Sequence, residues 1–266
     1  MAGATNFSKK CIVFVTGASK GIGQTIAVES ARQVNQDSVF VLLARSESGL
    51  DKTKQLILEI DKSLTVLTYK VDLSKPDLNL YNDIFKQVLK SIDSSGIEIG
   101  LIFHNAAHVG VLKDSTELSD LQVWREYYDL NLFSAVLLNN AFIKHIRPIA
   151  PQLVIVNISS LAGKVPFANS AMYGSGKAAR ELFFKVLALE HKNIIVLNYS
   201  PGPVQTDMFD MVCDVAQSDE VRSTFQEIRA NTVLTTNQTV SKLLEVLEKG
   251  DFKSGDTVDY FDRVNA

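Results

Sequence analysis

Short apolar runs alternate along this chain with longer amphipathic stretches. Six of the runs are rich in β-branched residues, and they lie at positions 11–15, 39–43, 64–67, 101–103, 153–156 and 194–197. Near-continuous apolar character is typical of strands in a parallel sheet that helices cover on both faces. The alternation of such strands with helices predicts βαβ units and an α/β fold with a doubly wound sheet.

The helix between the third and fourth runs is the clearest of the amphipathic segments. Its apolar residues recur at helical spacing: Ile84, Phe85, Val88, Leu89 and Ile92. Pro76 is placed to begin this helix, and Gly96 is placed to follow its end. Because no linker, composition shift or internal repeat divides the chain, we expect residues 1–266 to form a single domain.

Two further helices, predicted over 130–143 and 172–189, are apolar over more than one face. A helix that is apolar nearly all round must be buried on two sides. Both helices could be buried deep within one subunit, or they could form the interface of a homodimer. The homodimer is favoured, because the pair would lie on the outside of the sheet.

Composition excludes several classes of protein. The formal net charge of −3 and the scattered lysines and arginines give no surface for nucleic acid. The chain contains no apolar run of membrane-spanning length, and its polar start is unlike a signal peptide. Two cysteines and four histidines show no spacing typical of a disulfide framework or a metal site. We expect a cytoplasmic globular protein that binds no metal, no membrane and no nucleic acid.

A glycine-rich turn follows the first predicted strand and opens a helix at about Ile22. It reads Thr16-Gly17-Ala18-Ser19-Lys20-Gly21-Ile22-Gly23. A helix N-terminus offers unpaired N–H groups and the positive end of the helix dipole to a phosphate, and glycine leaves room for the approach. Although such a turn can be merely a tight connection, the strand before it and the helix after it favour a dinucleotide site.

The end of the second strand indicates which dinucleotide is bound. A carboxylate there favours a free ribose 2′-OH, whereas a cation favours a 2′-phosphate. The strand ends in Arg45, and Lys20 in the turn could reach the same phosphate, so we expect NADPH. Both cations could instead be ordinary surface charges. Asp72 could accept a hydrogen bond from the adenine amino group, or it could cap the next helix.

Ser160, Tyr173 and Lys177 form the most informative set of polar residues. Ser160 follows the fifth strand, and Tyr173 and Lys177 are four residues apart on a predicted helix, so they share a face. An adjacent ammonium would lower the pKa of the Tyr173 phenol, which could then act as a proton donor near neutral pH. Ser160 could hold the substrate oxygen.

These features together resemble the short-chain dehydrogenase/reductase family. Its motifs occur here in the family's order: Thr16-Gly17-x-x-x-Gly21-x-Gly23, Asn105-Ala106, Asn131, Ser160, Tyr173-x-x-x-Lys177 and Pro201-Gly202. The resemblance implies a seven-stranded parallel Rossmann sheet with helices on both faces, and hydride transfer with Tyr173 as proton donor. It also implies that Lys177 binds the nicotinamide ribose, and that Asn131 steadies a water that relays protons to Lys177.

The cofactor residues that the motifs and the resemblance together indicate are Gly17, Ser19, Lys20, Gly21, Ile22, Gly23, Arg45, Asp72, Asn105, Lys177, Pro201, Gly202 and Thr206. One position departs from the family, because Ala107 stands where a glycine is usual. His104, just upstream, is expected to be a packed residue without a catalytic role.

The segments at 156–161, 173–180, 186–190, 196–203 and 206–208, and the tail at 252–259, are similar to the sepiapterin reductases within this family. In those enzymes an aspartate at the place of Asp259 anchors the pterin ring, and a carboxylate can accept from a ring N–H and an amino group at once. The resemblance implies NADPH-dependent reduction of pterin side-chain ketones, as in tetrahydrobiopterin synthesis, with a lid at about 203–230 and a substrate-binding tail at 250–266. Ser160, Tyr173 and Asp259 would bind the substrate. A broader carbonyl reductase and a non-catalytic NADP(H)-sensing protein are the alternatives.

Overall fold

The computed structural model describes residues 3–215 and 219–262. Its seven strands are β1 (Cys11–Thr16), β2 (Val39–Ala44), β3 (Thr65–Lys70), β4 (Ile99–His104), β5 (Gln152–Ile158), β6 (Ile194–Ser200) and β7 (Thr257–Asp259). They form one sheet in the order β3-β2-β1-β4-β5-β6-β7, and every pair is parallel. The predicted seven-stranded, doubly wound sheet is therefore confirmed.

The helices follow the strands as the apolar pattern predicts. They are α1 (Gly21–Ala31), α2 (Glu47–Ile60), α3 (Leu78–Ser91), α4 (Leu121–Tyr128), α5 (Ser134–Ile146), α6 (Ala171–Glu190), α7 (Asp207–Val215), α8 (Asp219–Asn231) and α9 (Thr236–Lys249). A π-helical turn at Asp129–Phe133 joins α4 to α5, and a 3-10 turn at Leu161–Gly163 follows β5.

Two hydrophobic cores lie on opposite faces of the sheet. Successive side chains of a strand point to opposite faces, so Val13 and Val15 of β1 pack with α1, α2 and α9, whereas Phe14 packs with α3, α5 and α6. The Phe14 ring lies 4.8 Å from the ring of Phe85 and 5.6 Å from that of Phe142. Burial on both faces explains why the central strands read as continuous apolar runs.

Elements at the edge of the sheet depart from the predicted bounds. The edge strand β3 continues three residues past its apolar run, to Lys70, because its outer positions are only half-buried and tolerate polar side chains. The helix predicted between Pro76 and Gly96 is α3. It begins at Leu78, after Asp77, whose carboxylate accepts hydrogen bonds from the first-turn N–H groups at 2.8 and 3.2 Å. Pro76 therefore precedes the cap instead of beginning the helix.

The two apolar helices differ in burial, because the apolar residues of α5 are buried or half-buried whereas the outer face of α6 remains exposed. On α6, Phe184 and Leu187 are buried against the sheet, but Leu182 and Leu189 are 63% and 68% exposed. Deep burial within one subunit therefore does not explain the apolar outer face. In the part of the chain that the structure describes, no helix combines the length and the apolar character needed to cross a membrane.

The carboxyl ends of the strands bring the predicted site residues to one edge of the sheet. The chain runs outward from β1 through β2 to β3, then returns to β4 on the other side of β1 and continues to β7. Ligands of doubly wound sheets bind in the crevice at such a reversal, outside the carboxyl ends of the strands. The glycine-rich turn after β1 and Asn105 after β4 flank this crevice.

Candidate active site

The glycine-rich turn leaves an open cradle at the start of α1. Gly17 has a φ of +67° and Gly21 a φ of +56°, a region in which side chains are strained. A Cβ on Gly23 would lie 2.3 Å from the carbonyl oxygen of Gly17, so this position excludes any side chain. Ser19 lies in this turn, and Ile22 lies in the first turn of α1. The cradle and the helix N-terminus fit the pyrophosphate of a dinucleotide.

Asn105 supports this turn from the end of β4. The hydroxyl oxygen of Thr16 accepts hydrogen bonds from the N–H groups of Asn105 and Ala106, at 2.9 and 3.0 Å. The side-chain amide of Asn105 donates in turn to the carbonyl oxygen of Thr16 at 2.9 Å. These hydrogen bonds hold the end of β1 against the segment that follows β4. Asn105 therefore lies beside the turn that would hold the cofactor.

The two cations predicted to bind a 2′-phosphate have different surroundings. Arg45 follows β2, is exposed, and makes no ion pair with any side chain of residues 3–215 and 219–262. Lys20 instead pairs with Asp207 at the start of α7, with Nζ 2.5 Å from Oδ2. Both side chains of this pair are largely exposed, so the pair is weak and a phosphate could displace Asp207.

Asp72 does not cap the next helix. Its Oδ1 accepts from the N–H of Ser74 at 3.1 Å and from the Ser74 hydroxyl at 2.8 Å, which closes a turn after β3. These hydrogen bonds, together with the nearby Arg45, keep the pKa of Asp72 below its ordinary value. The carboxylate lies exposed at the carboxyl edge, and its predicted contact with adenine stays a prediction.

Ser160, Tyr173 and Lys177 come together at the end of β5. Ser160 begins the 3-10 turn and accepts from the N–H of Ala162 at 3.2 Å, while α6 carries Tyr173 and Lys177 on one face. The Lys177 ammonium is buried, lies 5.6 Å from the centre of the Tyr173 ring, and donates to the carbonyl oxygen of Ile158 at 2.8 Å. The phenol therefore sits between a hydroxyl and a cationic side chain.

The electrostatics of this set differ from the sequence prediction. Burial raises the pKa of Tyr173, although a hydrogen bond from Ser160 and the charge of Arg180 oppose the rise. Burial and the same arginine lower the pKa of Lys177 well below its ordinary value. The expectation that Lys177 lowers the pKa of Tyr173 is therefore wrong for this structure, because burial outweighs the nearby charges and the opposing charge is that of Arg180.

Asn131 lies in the π-helical turn between α4 and α5. Its Oδ1 accepts from the N–H of His108 at 2.9 Å, and its amide donates to the carbonyl oxygen of Tyr127 at 2.9 Å. Such single π turns are frequent at functional sites. The side chain thus joins the turn to the segment after β4, and the proton relay through Asn131 stays a prediction.

Pro201, Gly202 and Thr206 follow β6 at the same edge. Gly202 has a φ of +73°, and a Cβ on Gly21 would lie 3.6 Å from the methyl group of Thr206. The start of α7 therefore adjoins the glycine-rich turn. The predicted lid at 203–230 contains α7 and α8, but 216–218 lie outside the described residues, and the closing motion stays a prediction.

Asp259 ends β7 beside Ser200 of β6. Its Oδ1 accepts from the N–H of Phe261 at 3.0 Å, and its own N–H donates to the carboxylate of Asp262 at 2.8 Å. The half-buried carboxylate thus closes a turn at the carboxyl edge of the sheet. Residues 263–266 of the predicted substrate-binding tail lie outside the described residues.

His104 and Arg180 are both buried near the site, but only His104 is assigned from the sequence. His104 is packed, as expected: it is buried, its ring lies 5.1 Å from that of Phe184, and burial lowers its pKa to about 3. Arg180 has no place in the motif-based site, yet it is buried on α6, the helix that carries Tyr173 and Lys177. Its spacing of seven residues from Tyr173 and three from Lys177 was the available signal, since these positions share a helix face.

Comparison with known proteins shows similarity over most of the chain, beyond the individual motifs. The family model for short chain dehydrogenase matches residues 11–217. Sepiapterin reductase from Mus musculus is 34% identical over 261 residues, covering 95% of this chain and 97% of that protein. Benzil reductase ((S)-benzoin forming) from Bacillus subtilis is 28% identical over 245 residues, covering 90% and 94%. The solved structure of the KRED1-Pglu enzyme matches with a TM-score of 0.80 and 25% identity, covering 94% of this chain and 100% of that chain.

Proposed function

This chain belongs to the short-chain dehydrogenase family, and we propose that it is an NADPH-dependent carbonyl reductase of the sepiapterin reductase type. As a member of that family it is an oxidoreductase that acts on CH–OH or C=O groups. The proposed reactions are reduction of sepiapterin to dihydrobiopterin and of 6-pyruvoyl-tetrahydropterin to tetrahydrobiopterin. The observation that carries the proposal is the Tyr173 phenol, held between Ser160 and Lys177 at the edge where Asp259 also lies.

In the proposed reaction Tyr173 acts as the general acid. NADPH, when bound, supplies a hydride to the carbonyl carbon of the substrate. Tyr173 donates its phenol proton to the carbonyl oxygen, while Ser160 donates a hydrogen bond to the same oxygen and so stabilises the negative charge that develops. Because burial raises the pKa of the phenol, Tyr173 is protonated at neutral pH and ready to donate. Lys177 lies beside the ring and, as the ribose ligand, would hold the cofactor against it.

Asp259 would give the enzyme its preference for pterins. A carboxylate can accept from the ring N–H and the exocyclic amino group of a pterin together, and this two-point contact would hold the side-chain ketone near Tyr173. A simple ketone offers no such donors. The similarity to benzil reductase favours, as a second candidate, a reductase of ketones without a pterin ring.

The proposal is tested by following NADPH oxidation by the purified protein with sepiapterin and, separately, with a simple diketone. We expect kcat/KM to be larger for sepiapterin. Activity on the diketone but none on sepiapterin would favour the second candidate. Absence of turnover with both substrates would contradict the proposed reduction altogether.

Arg45→Ala is expected to raise KM for NADPH about tenfold and to leave KM for NADH unchanged. Arg45 is the exposed cation at the end of β2, and removing one charge-assisted contact to the 2′-phosphate costs about 1.4 kcal/mol, a factor of ten. Arg147→Ala, at an exposed arginine that follows α5 and precedes β5, is the matched control and should change neither constant. An equal rise for both cofactors in Arg45→Ala would show that Arg45 does not select the 2′-phosphate.

We also propose that the exposed apolar face of α6 is the interface of a homodimer. Leu182, Val186 and Leu189 share this face and would be removed from water by a second copy. Leu182→Glu should therefore shift the sedimentation coefficient from that of a dimer to that of a monomer. Leu80→Glu, at an exposed leucine on α3, should leave it unchanged. A monomeric wild-type protein at micromolar concentration would refute the interface.

A further inference from the structure

Glu181 is a buried carboxylate on α6 that the motifs leave without a role. It lies four residues after Lys177, which places the two side chains on one face of the helix. Only 3% of Glu181 is exposed. Glutamate is almost never buried to this extent unless it is paired, so its partners indicate what the side chain does.

Both carboxylate oxygens of Glu181 are hydrogen-bonded. Oε2 accepts from the hydroxyl of Ser159 at 2.6 Å, and Oε1 accepts from the hydroxyl of Thr257 at 2.6 Å and from Nζ of Lys185 at 2.7 Å. Nζ of Lys164 also lies 4.0 Å from Oε1. Burial raises the pKa of Glu181, but the hydrogen bonds from its three partners outweigh burial, and the pKa lies below the ordinary value of a glutamate. The carboxylate is therefore ionised at neutral pH, and hydrogen bonds to an ionised acceptor are short and strong.

The two hydroxyl partners of this carboxylate precede the groups proposed to bind the substrate. Ser159 directly precedes Ser160, which would hold the carbonyl oxygen. Thr257 lies two residues before Asp259 on β7. Val258, between them, packs against the core that contains α1, α2 and α9, so the side chains of Thr257 and Asp259 point to the opposite face of the sheet, where α6 lies. One carboxylate thus contacts both segments that carry substrate-binding groups.

The strand β7 is a short edge strand of the sheet. It contains three residues, and among the described strands it pairs with β6 alone. Few backbone hydrogen bonds hold such a strand, so a hydrogen bond from a side chain has a large share in fixing its position. The hydrogen bond between Thr257 and Glu181 ties β7 directly to α6, the helix that carries Tyr173.

We propose that Glu181 is a positioning residue that fixes the separation between Ser160 and Asp259, and that it thereby sets the preference for pterins. The proposal rests on the proposed function and names a residue that determines its specificity. A pterin would be bound at its ketone and at its ring, so it reacts only when the two contacts are correctly spaced. A simple ketone would be bound at its oxygen alone and is insensitive to that spacing. A displacement of about 1 Å can lower a rate by about a hundredfold.

Thr257→Val removes the hydroxyl that Glu181 holds and keeps the β-branched shape that suits a strand. It loosens β7 and leaves the contact with Ser159 in place. We expect kcat/KM for sepiapterin to fall roughly tenfold, mainly through KM, and kcat/KM for a simple diketone to stay within about twofold of wild type. Thr68→Val, at a half-buried threonine on the opposite edge strand β3, is the matched control and should change neither constant.

Ser159→Ala removes the other hydroxyl, next to the residue that would hold the carbonyl oxygen. Both substrates need that oxygen contact, so kcat should fall by a similar factor, roughly tenfold, for sepiapterin and for the diketone. Glu181→Leu removes both contacts with a side chain of similar volume, and its kcat/KM for sepiapterin should fall about a hundredfold. If Glu181→Leu does not fold, the two hydroxyl variants carry the test without it.

A double-mutant cycle separates a positioning role from a loss of stability. If Thr257 acts through Asp259, Thr257→Val should lower kcat/KM for sepiapterin by less than about twofold in the Asp259→Asn background. An effect on stability alone would give the same loss, about tenfold, in both backgrounds.

Hydrogen exchange tests the same contact without turnover. The N–H of Tyr260 donates to the carbonyl oxygen of Ser200 at 2.9 Å and reports on the pairing of β7 with β6. Its exchange, followed by NMR, should be about tenfold faster in Thr257→Val and in Glu181→Leu, because the lost hydrogen bond to a charged group helps to keep β7 paired. Exchange should be unchanged in Thr68→Val.

The outcomes separate this proposal from the proposed function. A wild-type protein that reduces no pterin would refute the pterin reductase and the specificity role together, while hydrogen exchange would still decide whether Glu181 holds β7. Unchanged exchange of the Tyr260 N–H in Thr257→Val would overturn the positioning role in either case. The proposal is also overturned if Thr257→Val lowers the constants for sepiapterin and the diketone equally, or if its effect persists undiminished in the Asp259→Asn background.

Discussion

Tyr173→Phe is expected to lower kcat for sepiapterin reduction about a thousandfold, within the range typical of the loss of a general acid. The variant keeps the aromatic ring that packs beside Lys177 and removes the hydroxyl that donates the proton. The Kd for NADPH should change by no more than about twofold, because the phosphate cradle lies at the other end of the crevice. Steady-state kinetics and a fluorescence titration with NADPH measure the two quantities.

A matched control for this variant is Tyr69→Phe, on the edge strand β3 and away from α6. It removes the same hydroxyl from a half-buried tyrosine and should keep wild-type kcat. If Tyr173→Phe kept more than about a tenth of the wild-type kcat, the phenol would not be the proton donor. A parallel loss of NADPH binding would indicate a damaged cofactor site instead of a missing acid.

Asp259→Asn is expected to lower kcat/KM for sepiapterin about a hundredfold while leaving kcat/KM for a simple diketone within about twofold of wild type. The asparagine keeps an oxygen that can accept from the N–H of Phe261, so the turn at the end of β7 is preserved. It also replaces one carboxylate oxygen by an amide N–H₂, which is a donor and cannot accept a hydrogen bond from the pterin ring. A hundredfold loss corresponds to about 2.8 kcal/mol, which lies within the range of about 1.5–3 kcal/mol that losing one hydrogen bond to a charged group costs.

The matched control for Asp259→Asn is Asp251→Asn, which alters an exposed carboxylate earlier in the same tail. It should leave both specificity constants unchanged. Equal losses for sepiapterin and the diketone in Asp259→Asn would mean that the substitution disturbs the site as a whole. An unchanged constant for sepiapterin would remove Asp259 from the substrate site.

The apolar pattern predicts the centre of the fold better than its edges. The strands β1, β2, β4, β5 and β6 are buried on both faces, so each appears as an apolar run that the sequence reveals directly. The edge strand β3 has polar outer positions, and β7 contains three residues. Neither makes a long apolar run, so the bounds of β3 and the presence of β7 depend on tertiary pairing or on family resemblance.

Sequence spacing predicts which side chains lie close together, but it does not predict how burial changes their pKa values. The four-residue spacing of Tyr173 and Lys177 correctly predicts a shared helix face. The sequence predicts a lowered pKa for Tyr173, and that direction is wrong. The shift depends on how deeply the phenol is buried and on the charge of Arg180, and the motif contains neither. The hydrogen bonds of Arg180 to three backbone carbonyl groups join residues up to 76 positions apart, and no local pattern encodes them.

The central claim is that a hydride passes from NADPH to the side-chain ketone of a pterin. It is tested most directly by incubating the protein with sepiapterin and NADPH that carries deuterium at both positions of nicotinamide C4, followed by mass spectrometry of the pterin product. The account predicts one deuterium in the product, on the side-chain carbon that carried the ketone oxygen. An unreduced pterin, or a reduced one without deuterium, would contradict it.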